Sequence, residues 1–182
     1  MDVNQLLSRY AAGERDFNGM NLHQANLSDI DLRGANFGGA DLSGANLTGA
    51  DLSGCDLSRA NLTDADLSGA NLMAANLSEV NLIGADLINI NLERTNLSRG
   101  DLRSANLVKA NLCGSNLSEA ELSGADFSGA NLSQANLIGS NLNEAELNGA
   151  DLSGVTVAEN EMSSSKTYTG LSHKWVTWAG GC

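Results

Sequence analysis

Three kinds of group in this 182-residue chain could do chemistry: two histidines, three cysteines, and the Asp or Asn that stands before nearly every leucine. His23 and His173 lie 150 residues apart, and no Ser-His-Asp or Cys-His set assembles from them. Cys55, Cys113 and Cys182 follow none of the zinc-ligand spacings, and an odd, scattered set argues against a disulfide framework. A phosphate-cradling glycine loop is absent. The recurring carboxylates could attract cations weakly, but the Gly-Gly-x-Gly-x-Asp pattern of calcium-binding β-rolls is missing. The expectation is a protein with no catalytic residues, no metal and no cofactor.

What positions these groups is one unbroken repeat from Asp16 to Gly154. Ala40-Asp41-Leu42-Ser43-Gly44 and Ala45-Asn46-Leu47-Thr48-Gly49 show its form. Leu or Phe recurs at every fifth position from Phe17 to Leu152, 28 centres without a slip. The residue two before the centre is Ala in 18 of 26 cases from Ala25 to Ala150. Residues two apart point to one side of an extended chain. Five is odd, however, so an uninterrupted strand would send successive leucines to opposite faces. In a helix five steps rotate the side chain by about 140°, and the leucines would scatter. All the centres stay inside only if the chain turns once per pentad, and Gly, Ser, Asn and Asp fill the positions where it must turn. Proline is absent, as suits a backbone that donates N–H groups to neighbouring coils throughout. The pattern predicts a wound tube filled with Leu and Ala.

The A-(D/N)-L-x-x pattern over about three quarters of the chain resembles the pentapeptide-repeat proteins. That resemblance implies an all-β fold: a right-handed quadrilateral parallel β-helix in which four repeats make one coil. Residues 20 apart would then stack, giving about seven coils and a rod on the order of 33 Å long.

The formal net charge is −12, and residues 16–154 account for it with 18 acids against six bases. Direct nucleic-acid binding, which needs a basic footprint, is not expected. No run approaches the length of a membrane span, and Met1 to Gln5 has neither the basic nor the apolar region of a signal peptide; a cytoplasmic protein is expected.

The chain divides into residues 1–13, 14–162 and 163–182. Val3, Leu6, Leu7 and Tyr10 mark one face of a helix, with Asp2 as N-cap and Gly13 as its end. This helix is read as a cap on the first coil, with a partner-binding helix as the rival. Cys55 takes an Ala position, and Gly100 should leave a gap beside Leu102. Cys113 falls where side chains point outward. Ile83, Ile88 and Val108 also point outward, where Ser and Thr are usual, and form a possible contact patch. Arg94, Arg99, Arg103 and Lys109 make a basic girdle on an otherwise acidic rod, read as charge balancing. The tail holds Trp175 and Trp178, which suit either a helix or a strand and either cover the last coil or join two copies.

The function expected is that of a non-catalytic, acidic, rod-shaped interaction protein, monomeric or dimeric through its tail, with an unidentified protein partner. The resemblance supplies an alternative, because some pentapeptide-repeat proteins mimic duplex DNA and bind DNA gyrase. B-DNA carries one charge per about 1.7 Å, or about 19 over this rod, against 18 acids here.

Overall fold

The computed structural model describes residues 3–158. Within them each pentad repeats one small mechanism. The centre points inward, with every Leu or Phe from Phe17 to Leu137 at most 2% exposed. Its carbonyl accepts from the N–H three residues on, as in Ala25 to Leu22 at 3.0 Å, which closes a four-residue turn. The third residue of that turn has positive φ in every repeat, the mark of a type II turn. The residue before the centre is Asp or Asn in every repeat except those of Leu122 and Leu147, which have Glu, because its Oδ1 accepts from the N–H two residues on, as from Ser78 to Asn76 at 3.2 Å. This side-chain turn holds the chain at the angle from which the backbone turn begins.

Parallel bridges join each of these Asp or Asn residues to the residue 20 later, from Asp16↔Asn36 to Asn136↔Thr156. A register of 20 with a period of five makes four pentads per coil, and so four faces. We number them by their centres: the first runs Phe17, Phe37, Leu57 onward, the second Leu22, Leu42, Leu62, the third Leu27, Leu47, Leu67 and the fourth Leu32, Leu52, Leu72. Around a bridge three backbone bonds tie coil to coil; at Asn21↔Asp41 they are Leu22 N–H to Asp41 O (2.7 Å), Gln24 N–H to Ser43 O (2.9 Å) and Asp41 N–H to Met20 O (2.8 Å). Every bridge is isolated, so the described residues contain no extended strand. The all-β expectation is corrected to that extent. The turn consumes so much of each pentad that only one residue remains flat enough to pair, and the solenoid is held by single-residue ladders.

The interior is packed by complementary sizes. The third face carries Ala at every inward minor position from Ala25 to Ala145. The expected gap at Gly100 does not exist. A Cβ there would lie 3.3 Å from Val80 Cγ1 and 3.2 Å from Leu102 Cδ1, so the larger valine one coil earlier occupies the space. Phe17 and Phe37 stack at 5.5 Å between ring centroids. Cys113 is also corrected: it stands at an outward position but is 1% exposed, with Ser133 Oγ 3.4 Å from its sulfur. Outward geometry in the coil does not guarantee contact with water.

Before the first coil stands helix α1 (Val3–Ala11). It ends in a Schellman motif, with Glu14 N–H bonded to Arg9 O and Gly13 N–H to Tyr10 O, both 3.0 Å, and Gly13 at φ +95°. Leu6 is fully buried and Val3, Leu7 and Tyr10 pack on the core. Tyr10 Oη donates to Arg33 O (3.0 Å) and the Arg15 guanidinium lies 3.7 Å over the Tyr10 ring, so the helix is tied by polar contacts as well. Asp2 and the tail with Trp175 and Trp178 lie outside the described residues. No helix among the described residues is long and apolar enough to cross a membrane.

Candidate interaction surface

Because the inside is filled, function has to lie on the outside, and the outer surface is built by the bridge residues and the two that follow each centre. The bridge residues stack into ladders. On the fourth face Asn131, Asn111, Asn91 and Asn71 each donate from Nδ2 to the residue 20 earlier, at 3.0–3.3 Å, and the run ends on Asp51. On the first face Asn136, Asn116, Asn96 and Asn76 do the same, ending on Asp56. An amide can pass such a run along because it both donates and accepts. A carboxylate only accepts, and so it stands at the N-terminal end. Sequence alone showed these residues as turn formers; the ladder needed the register of 20.

Where two carboxylates stack in adjacent coils the ladder cannot form, and four such pairs occur: Asp31/Asp51, Asp101/Glu121, Asp66/Asp86 and Asp126/Glu146. Two of them are met by an arginine. Arg33 holds Asp31 at 2.6 Å and reaches Asp51 at 3.7 Å. The hydrogen bonds from Arg33 pull the Asp31 carboxyl down to about 2. Arg103 pairs with Asp101 at 2.7 Å, which lowers that carboxyl, and it feels the charge of Glu121. The other two pairs share the third face and have no arginine. Asp66 is lowered instead by hydrogen bonds from the Ser68 backbone and hydroxyl.

Ile88 and Val108 stand on this same third face, half-buried, one coil apart, with Asn89 N–H bonded to Val108 O at 3.0 Å. Ile83 is half-buried on the adjoining second face, followed in its column by Arg103. The structure thus brings Ile88 and Val108 together and sets Ile83 around the corner. Lys109 is exposed at the next corner and makes no ion pair among the described residues. Arg59–Glu79 (3.1 Å) and Arg99–Glu119 (2.8 Å) form an alternating column at a first-face corner. Exposed pairs of this kind contribute little to stability.

These corner residues occupy the positive-φ position of the turn, which glycine fills without penalty. From residue 59 to 119 a side chain stands there in 10 of 13 turns, against 4 of 15 in the rest of the repeat. Each costs about 1 kcal/mol relative to glycine, somewhat less for Asn and Asp. The middle of the rod therefore departs furthest from what its own turns prefer.

One constellation escaped the sequence. His23 Nδ1 lies 2.8 Å from Ser43 Oγ, which in turn donates to Asp41 Oδ1 at 2.6 Å. Only the register of 20 brings His23 beside Ser43. The hydroxyl gives its proton to the carboxylate, not to the imidazole, so the histidine is not placed as its base. Among the described residues no group of three or more His, Cys, Asp or Glu side chains could hold a metal.

The pentapeptide-repeat family model matches eight copies across the repeat, over residues 16–49, 40–78, 75–112, 96–134 and 120–156. The chain belongs to the pentapeptide repeat family. Among solved structures it is similar to HetL, a pentapeptide repeat protein involved in heterocyst differentiation regulation from the cyanobacterium Nostoc sp. strain PCC 7120. That pair is 34% identical over 87% of this chain and 98% of HetL, with a TM-score of 0.50. It is also similar to alr5209 from Nostoc PCC 7120, at 41% identity over 60% of this chain and 80% of that one, TM-score 0.39. QnrB1, a plasmid-mediated fluoroquinolone resistance protein, is 22% identical over 79% of this chain and 84% of its own, TM-score 0.43, a likeness of fold alone. No curated protein matches the chain.

Proposed function

We propose that this pentapeptide-repeat protein is a non-catalytic rod, a right-handed four-sided coil of about seven turns, that works in the cytoplasm by holding a rigid acidic surface against another protein. The observation that carries this reading is the filled interior. Leu and Phe occupy the axis at 0–2% exposure from Phe17 to Leu137, as do the alanines beside them from Ala35 to Ala135, so the tube holds no ligand and only its faces can act. HetL, involved in the regulation of differentiation, is a relative of comparable length whose described role is regulatory. A photoreactive amino acid placed in turn at an outward position of each face, in cells that make the protein, tests the reading. One face should trap a single protein in stoichiometric amount; trapping of none from any face would overturn it. Residues 163–182 carry the choice between one copy and a dimer, which sedimentation across a dilution series decides.

A second reading rests on family resemblance and charge: a duplex mimic that binds DNA gyrase. Its support is the 18 acids on the repeat. Against it stand the Arg33 and Arg103 pairs, which neutralise part of that surface, and the aliphatics in its middle. Supercoiling by gyrase with the protein added is the test, and unchanged activity with an unchanged quinolone response removes this reading.

A further inference from the structure

The third face differs from the other three in two ways that meet at one place. In the column after its centres the residues are Ser28, Thr48, Ser68, Ile88, Val108, Ser128 and Asn148, so two aliphatics interrupt a row of hydroxyls near the middle of the rod. The same face holds both stacked carboxylate pairs that lack an arginine, Asp66/Asp86 and Asp126/Glu146. No ion pair among the described residues involves any of these four; Asp16, Asp41, Asp56, Glu121 and Asp151 on the other faces are in none either, but only on the third face do two such carboxylates stack in adjacent coils with no arginine on either member.

We propose that the third face is the docking surface for a cationic, aliphatic protein segment, such as the basic amphipathic face of a helix, with Ile88 and Val108 meeting its aliphatic side chains and the flanking carboxylates its Lys or Arg. The proposal rests on the reading of the chain as an interaction rod and names the partner's chemistry. Charge selects the occupant. A second copy of this face would set its unpaired carboxylates against one another, and a nucleic acid would be repelled along the whole rod. A cationic segment gains Coulomb attraction from carboxylates that nothing in the described coil neutralises, and covering Ile88 and Val108 removes apolar surface from water. Asp64 and Glu144, at the corner leading onto this face, extend the negative margin. The aliphatic pair lies inside the segment 59–119, where the turns most often accept a side chain in place of glycine. Such departures from a fold's own preference gather where a surface is used.

The test is fluorescence anisotropy of the full chain with a labelled 14-residue Leu/Lys amphipathic peptide, its Leu-to-Gln analogue and its Lys-to-Glu analogue. Asp66→Asn/Asp86→Asn keeps the coil, because Asn is the other residue the repeat places before a centre, and Ile88→Ser/Val108→Ser restores the residue usual in that column. Asp56→Asn/Asp151→Asn removes the same charge from the first and fourth faces. The Leu/Lys peptide should bind at least tenfold more tightly than either analogue. Each third-face variant should weaken it at least tenfold, and the control variant by less than twofold, with thermal melts confirming folding. An equal loss in the control would show net charge alone at work. Equal binding of the Gln analogue would remove the role of the aliphatics, and no binding of the Leu/Lys peptide would overturn the proposal outright. In each of these cases trapping of a partner from another face would leave the rod reading standing.

Discussion

Ser115 is the one buried side-chain polar atom among the described residues with no hydrogen-bond partner. Its column shows what it lacks: Thr95 Oγ1 donates to Leu72 O at 2.8 Å and Cys55 Sγ to Leu32 O at 3.1 Å, each reaching back 23 residues. An unpartnered buried hydroxyl costs its desolvation. Ser115→Ala should therefore raise stability by about 1 kcal/mol in equilibrium denaturation, and a loss would mean that the hydroxyl is satisfied in solution. Cys55 is the matching case in reactivity. Burial pushes its thiol up to about 11, so it should resist iodoacetamide at pH 8 in the native protein and react once the coil is unfolded. Asp31 sets a pH dependence. Its folded value of about 2 lies below the ordinary carboxylate value, so its contribution is complete above about pH 4 and disappears as pH falls towards 2. Asp31→Asn keeps the turn acceptor but loses the pair with Arg33. The gap in melting temperature between parent and variant should be full at pH 6 and close between about pH 4 and 2.

A single pentad cannot bury its leucine alone, and at this scale the packing of one coil on the next decides what is tolerated. Gly100 and Val80 share a position one coil apart, and a Cβ on Gly100 would meet Leu97 O at 3.0 Å and Val80 Cγ1 at 3.3 Å. Gly100→Ala should cost about 1–3 kcal/mol as overpacking. Val80→Ala made in addition should recover part of that loss, so that a double-mutant cycle gives a favourable coupling. Additive losses would mean that the two do not share the space. The same pair shows what the sequence made legible. The period of five, the inward leucines and alanines and the need for a turn in every pentad could be read directly, because they repeat locally. The register of 20 came only through family resemblance; it placed Ile88 and Val108 one coil apart on one face, but the side-chain details that depend on it stayed hidden: Val80 filling the space at Gly100, His23 beside Ser43, and the two stacked carboxylate pairs of the third face. Ile83, Ile88 and Val108 were visible as outward aliphatics. That two of them share a face with the carboxylates left without arginine was not, since residues 20 apart meet only when the coil closes. The single-residue bridges were also missed, because a sequence rule for strands expects runs that this turn-rich coil never makes.

For the whole molecule the unsolved part of any solenoid is its two ends, where a coil has a neighbour on one side only. At the N-terminal end the backbone N–H groups of Asn21, Asn26 and Asp31 have no earlier coil to accept them, although their counterparts one coil on, Asp41, Asn46 and Asp51, bond back to Met20, Ala25 and Ile30. Helix α1 covers the apolar part of this end. Leu6 is fully buried there, worth about 2 kcal/mol by itself, with Val3, Leu7 and Tyr10 adding partial burial. The polar ties of Tyr10 to Arg33 O and of Arg9 to Glu14 fix the helix in place. Nine residues are too few for a helix to persist without that packing, so helix and first coil depend on each other. Deleting residues 1–13 should lower the melting temperature and leave Phe17 and Leu22 under an open edge that can pair with another chain. Light scattering on the truncated protein should rise with concentration, while the parent stays constant. A truncated chain that remains monomeric and melts with the parent would show that α1 does not protect the end, and would return it to the rival role of a ligand for another protein.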